Sequence, residues 1–180
     1  MEIQTPFRAN YEIENPPELP SSGAGVHYFP PARTGEGRIY ETRLTFSYLG
    51  QRPWYGVFAT QFKDGLSLAS TMPDPDWCSI VSVGTGYLLN VGQPQEWQSV
   101  PVNPVLHITL VSERQLLLFN SFDRIVAYGE KGQRWRTDSL CDQLKVVAVK
   151  GGGLECTGWD AASGDEVSFR VDLTSGRSQR

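Results

Sequence analysis

The sequence predicts an all-β protein, and three observations carry that reading. Apolar and polar residues alternate along short stretches, and clusters of Gly, Pro, Asp and Ser divide those stretches at near-regular intervals. Apolar residues nowhere recur at helical spacing for more than two turns. Alternation sends successive side chains to opposite faces of a strand, and such clusters end strands, so a long succession of both specifies sheets. The chain has 180 residues, including 18 Gly and 12 Pro, a length at which one domain is the default.

The stretch 38–48 states the pattern most clearly. Tyr40, Leu44, Phe46 and Tyr48 fall on one side of a two-residue repeat, with Glu41, Arg43, Thr45 and Ser47 on the other. That is a half-buried strand with one wet face. Residues 50–53 turn the chain into a second, aromatic-rich strand over 54–62. Lys63-Asp64-Gly65 turns it into 66–68, and Met72-Pro73-Asp74-Pro75-Asp76 holds too much proline for anything but a loop. Gly84-Thr85-Gly86 is a hairpin-sized turn between strands at 79–83 and 87–91. Ser112-Glu113-Arg114 parts 105–111 from 115–119, and a strand at 124–128 runs into a Gly129-Glu130-Lys131-Gly132 turn. Gly151-Gly152-Gly153 parts 144–149 from 154–159, and Val167, Phe169 and Val171 alternate with polar residues after a turn at 161–165. The expected fold is about eleven or twelve short, mostly antiparallel strands. The best helix candidate is a single turn at 138–144, behind a possible Asp138 cap.

Residues 1–36 hold six prolines and the stretch Ser21-Ser22-Gly23-Ala24-Gly25. Proline fixes φ, removes an amide donor and pushes the preceding residue towards extended geometry. The segment reads as a Pro/Gly-rich, irregular N-terminal arm with a flexible middle, anchored on a core by Phe7, Tyr11, Ile13, Val26, Tyr28 and Phe29. Residues 37–180 form the all-β domain.

Comparing the chain with itself reveals a repeat. The stretch from Ile125 through Gly132 to Trp135 has a partial echo in Phe169–Arg177, 44 residues on, and Trp97 precedes Trp135 by 38. In each copy an apolar strand runs into a polar turn that closes on Gly. On these residues the stretch 78–180 resembles β-propeller blade repeats of the quinoprotein or WD-like kind. The resemblance implies blade-like antiparallel sheets. At about 42 residues per blade the chain allows four blades at most, and residues 1–36 are not expected to supply one. A sandwich, a barrel-like sheet, or a few blade-like sheets closed by a partner chain remain as architectures.

Composition narrows the function. A formal charge of −4, from 16 basic and 20 acidic residues, argues against a protein that coats nucleic acid or an anionic membrane. The most apolar runs, 116–119 and 146–149, are far shorter than the roughly 20 residues of a membrane-spanning helix. The start Met1-Glu2-Ile3-Gln4-Thr5-Pro6 lacks the basic and apolar regions of a secretory signal. Three cysteines at long spacings read as free thiols in a reducing compartment, the cytoplasm.

No catalytic or metal residue is nominated, and no cofactor. His27 and His107 enter no zinc- or iron-binding pattern. Cys78 follows two aspartates, which oppose thiolate formation, and Cys141 and Cys156 lack a Cys-x-x-Cys partner. The acids at 160–166 lack the alternating spacing of a calcium loop. Arg134-Trp135-Arg136 reads as a strand with a buried Trp and two wet arginines. Five Trp, seven Tyr and eight Phe are the one surplus. Trp54 and Tyr55 stand beside Pro53, and Trp77 beside the Asp74–Asp76 loop, where aromatics anchor binding surfaces. The predicted binding residues are Trp54, Tyr55, Asp74, Asp76 and Trp77. The expectation is a non-catalytic binding module, with a protein partner or a second copy of itself. A hydrolase of sugars or esters using His107, and a carbohydrate-binding module using Trp54, Tyr55 and Trp77, stay open as alternatives.

Overall fold

The alternation becomes seventeen strands in the computed structural model, which describes residues 1–16, 18, 25–30 and 40–179. In chain order they are β1 (Glu2–Gln4), β2 (Tyr11–Glu14), β3 (Val26–Phe29), β4 (Tyr40–Tyr48), β5 (Trp54–Thr60) and β6 (Leu68–Thr71). Then come β7 (Trp77–Ser82), β8 (Thr85–Asn90), β9 (Trp97–Ser99), β10 (His107–Val111), β11 (Leu116–Asn120) and β12 (Ile125–Gly129). The last are β13 (Gly132–Arg136), β14 (Asp142–Lys150), β15 (Gly153–Asp160), β16 (Asp165–Asp172) and β17 (Ser178–Gln179). A 3₁₀ turn at Ser112–Arg114 is the one helical element among the described residues, so no described helix is long and apolar enough to cross a membrane.

The strands form four mostly antiparallel sheets. Sheet I has the order β2-β4-β5-β3, sheet II β1-β6-β7-β8-β9, sheet III β10-β11-β12-β13 and sheet IV β14-β15-β16-β17. Sheets III and IV are plain meanders, and sheet II is a meander extended by β1.

Three apolar clusters glue the sheets into a stack. Phe46, Trp54 and Phe58 of sheet I pack on Ile80, Tyr87 and Leu89 of sheet II. Val81 and Leu88 of sheet II meet Leu117, Phe119 and Val126 of sheet III. Leu118 and Ile125 of sheet III meet Leu154, Phe169 and Val171 of sheet IV. None of the three clusters joins sheet I to sheet IV among the described residues. The order of the layers is therefore I, II, III, IV.

The N-terminal segment is more ordered in secondary structure than its prolines suggest. It supplies β1, β2 and β3, and β2 and β3 make up half of sheet I. The reason is positional. All three are edge strands, and none contains a proline, so the missing amides fall outside the ladders. β1 and β3 pair in parallel with β6 and β5, whereas every other pairing is antiparallel. The expected flexible stretch at 21–25 and the arm's exit at 34–37 lie outside the described residues, except for Gly25.

Two local expectations are corrected. Residues 138–141 form no helical turn, and Asp142 opens strand β14 instead. Leu140 and Leu144 do share an inward role, packing on the cluster between sheets III and IV, but as parts of an extended chain. The β7–β8 hairpin turns on Val83-Gly84, one residue earlier than the glycines predict, with φ of 46° and 87°. Two positive φ values in a two-residue loop are the type I′ geometry that matches strand twist. Gly84 adopts it freely, whereas a β-branched residue does so at a cost.

That cost generates a prediction. Val83→Asn places a residue that tolerates positive φ at the same position, and is expected to raise the unfolding free energy by about 1 kcal/mol. Denaturant unfolding checks it. An unchanged or lower midpoint would mean that the packing of the valine outweighs its backbone cost.

Candidate functional site

Meanders put alternate turns at opposite ends of a sheet. In sheet III the β10–β11 connection and the β12–β13 turn share one end. Around that end the structure forms two neighbouring grooves, separated by the tip of the β12–β13 hairpin. One, of about 250 Å³, lies between sheets II and III and is lined by Met72, Asp74, Trp77, Leu88, Gln98 and Tyr128. The other, of about 300 Å³, lies between sheets III and IV and is lined by Arg114, Gln115, Leu116, Arg134, Leu173 and Thr174. Gly129, Glu130 and Lys131 line both.

The predicted residues divide among three places. Asp74 and Trp77 line the II/III groove. Asp74 Oδ1 accepts the Asp76 amide at 3.1 Å, which fixes the loop as a tight turn. Trp77 is half-buried and packs on the II/III cluster, and its carbonyl accepts the Tyr11 hydroxyl at 2.6 Å. Asp76 faces sheet I instead. Its Oδ1 accepts the Asn10 side-chain amide at 2.8 Å and the Tyr48 hydroxyl at 2.9 Å, clamping sheets I and II at this end. The bond to Asp76 raises the pKa of the Tyr48 phenol, because ionisation would lose it and set two anions together.

Trp54 is a core residue. It stacks on Phe46 at 4.3 Å between centroids, and its indole N–H donates to the Val91 carbonyl at 3.0 Å. Tyr55, half-buried on the opposite face of β5, has its amide held by Gly25. Neither lines a groove at the hairpin tip.

Arg114, Glu130, Lys131, Arg134 and Thr174 escaped the sequence reading as site residues. A signal was present in part, since Lys131 and Arg134 sit in the most basic stretch of the chain. Arg114 is separated from them by two strands, and only the meander brings its turn alongside theirs. Trp135 is buried, with its indole N–H on the Leu173 carbonyl at 2.7 Å, while Arg134 and Arg136 are exposed as expected.

The III/IV groove owes its shape to small residues. A Cβ at Gly129 would stand 3.2 Å and 3.3 Å from the Arg134 Cγ and Cδ, so the glycine lets that side chain lie across β12. Beside the groove, Asp172 is held through one carboxylate oxygen by its own turn. Its Oδ1 accepts the Ser175 hydroxyl at 2.7 Å and the Ser175 and Thr174 amides at 2.8 Å and 3.1 Å. The Ser175 hydroxyl is the largest cause that lowers the Asp172 pKa, and the charge of Arg114 adds to it.

The remaining titratable candidates lie away from the grooves. Cys78 and Cys156 are buried free thiols. Burial drives both pKa values up, Cys156 to about 11, which favours the protonated thiol over the thiolate a nucleophile requires. His107 is exposed on the edge strand β10, opposite Asn120. A scan against protein-family models gives no match to this chain, and a search of curated proteins gives none either.

The Asp172 turn yields a prediction with a definite sign. A carboxyl whose pKa is depressed in the folded state adds stability above its unfolded pKa, and that stability is lost as pH falls through the folded value. Ser175→Ala is expected to move the Asp172 pKa back up towards the ordinary carboxylate value, read from the side-chain carboxyl carbon in an NMR titration. An unmoved pKa would show that the turn amides hold the carboxylate alone.

Proposed function

We propose that the protein is a non-catalytic binding module whose turn-built end, centred on the β12–β13 hairpin tip, receives a protein partner. One observation carries this reading. Residues from sheets II, III and IV converge around a single exposed tip, and they include an aromatic ring, acids and bases in two continuous grooves. Clustered anchors of mixed character beside loops on a rigid sheet scaffold are what protein recognition uses. The proposal extends to the blade-like resemblance, supported by three sheets that each contain four consecutive up-and-down strands. It extends also to a cytoplasmic location, supported by Cys78 and Cys156, two buried thiols that form no disulfide.

The alternatives draw less from the same geometry. A sugar-binding platform on Trp54 needs a ring that is instead packed in the core, and His107 lines neither groove.

The test is native mass spectrometry on protein purified gently from its own source. A mass above 20.0 kDa that falls to the monomer mass in Lys131→Glu is the expected result. Lys131 is exposed at a turn, so its replacement leaves the sheets intact. A wild-type protein that is monomeric under these conditions would overturn the proposal. A complex indifferent to Lys131→Glu would move the partner to another surface.

A further inference from the structure

The two grooves differ in chemistry, and the difference specifies a partner. Resting on the binding reading above, we propose that the end of the stack binds an extended segment of a protein that carries an apolar side chain near a run of acidic ones. The apolar side chain sits in the II/III groove and the acidic ones in the III/IV groove, with the segment crossing the Glu130-Lys131 tip between them.

The II/III groove presents the half-buried Trp77 as its apolar surface, backed by Met72, Leu88 and Tyr128 buried beneath it. Met72, Leu88 and Tyr128 are held in the sheet II/III core, so the backing is rigid. Asp74 and Gln98 at its margin supply polar rims for the backbone of a bound segment.

The III/IV groove is basic and uncompensated. Arg114, Lys131 and Arg134 line it against a single carboxylate, Glu130. All three are exposed, and none of them forms an ion pair among the described residues, where the pairs are Arg43–Glu41 and Arg124–Asp123. Asp172, whose charge attracts Arg114, is engaged through Oδ1 by Thr174 and Ser175 of its own turn. The guanidinium of Arg114 reaches over the β14–β15 turn, with Nη2 3.7 Å from where a Cβ of Gly152 would stand. The Arg134 stem is laid across Gly129. Two guanidinium groups and an ammonium, presented from the β10–β11 connection and the β12–β13 hairpin, suit several carboxylates spaced along a chain.

The choice of a protein segment over a nucleic acid follows from the wider field. The chain carries a formal charge of −4, and Asp74 and Glu130 line the neighbouring groove. A long polyanion is repelled by that surround, whereas a short acidic run with an apolar neighbour meets favourable chemistry at each point.

Three fluorescein-labelled synthetic peptides test this by anisotropy. The first carries a leucine, a glycine spacer and a run of glutamates; the second has glutamine for every glutamate; the third has glycine for the leucine. The first is expected to bind at least about tenfold more tightly than the second at low salt, and its affinity falls as ionic strength rises. Arg114→Glu combined with Arg134→Glu is expected to weaken the first peptide at least about tenfold without changing the thermal midpoint, both residues being exposed. Trp77→Ala weakens it to the level of the third peptide. Equal binding of the glutamine peptide, indifference to the double charge reversal, or no binding by any peptide would overturn the inference. The double variant also separates it from the broader reading. A natural partner retained at full strength by that variant leaves the binding module standing and removes the acidic segment.

Discussion

The central strands of sheets II and III have no wet face. Cys78, Ile80 and Leu89 point from sheet II to sheet I, while Val81 and Leu88 point to sheet III. In sheet III, Leu117, Phe119 and Val126 point back, and Leu116, Leu118, Ile125 and Ala127 point on to sheet IV. A two-residue repeat can serve two interfaces only if nearly every position is apolar, as in strands buried on both faces. The buried hydroxyls among the polar exceptions are small and paired, whereas the buried side-chain amide of Asn120 on β11 has no hydrogen-bond partner among the described residues. Thr71 exchanges hydrogen bonds with the Phe7 backbone, Ser79 donates to Ser70, and Ser82 donates to the Phe58 carbonyl. Each bond offsets the desolvation that an unpaired hydroxyl would suffer there.

Two-sided burial decides where chemistry can live. With both faces of the central strands committed to packing, ionic groups are left to the turns, to edge strands such as β13, and to the outer faces of sheets I and IV. At the turns they meet, because each meander returns to the same end every second strand. Arg114 and Lys131 are 17 positions apart in sequence yet line one groove. The same logic unites Asp74 and Asp76 with different neighbours. One carboxylate looks to sheet III, and the other clamps sheet I through Asn10 and Tyr48.

Much of the fold was legible because it rests on period and punctuation. β4 shows its alternation openly, and the double-faced β11 shows as the run Leu116-Leu117-Leu118-Phe119. The short edge strands were not legible, since β1, β3, β9 and β17 have four residues or fewer and take their order from a neighbour. Val83 was missed because its conformation is imposed by the hairpin and is not one that valine favours. Of the residues that line the II/III groove, Asp74 and Trp77 stood out in the sequence by their place in and beside the proline-rich loop. Trp54, beside a turn in the same way, was not distinguishable from them. Its ring follows the side of β5 that faces sheet II, and strand parity relative to a core is a property of the assembled layers.

The outer face of sheet IV carries one more implication. Val147 and Trp159 stand 63% and 44% exposed on a layer whose inner side is fully packed. Among the described residues each apolar cluster joins a layer to its immediate neighbour, so the packing of sheets I to III does not depend on how many layers follow. A ring of sheets has a closure condition, and adding or losing one member strains all the rest. A row has none. Duplication of one meander could lengthen this molecule by a layer, seated over Val147 and Trp159, while the hairpin tip and its two grooves kept their present form.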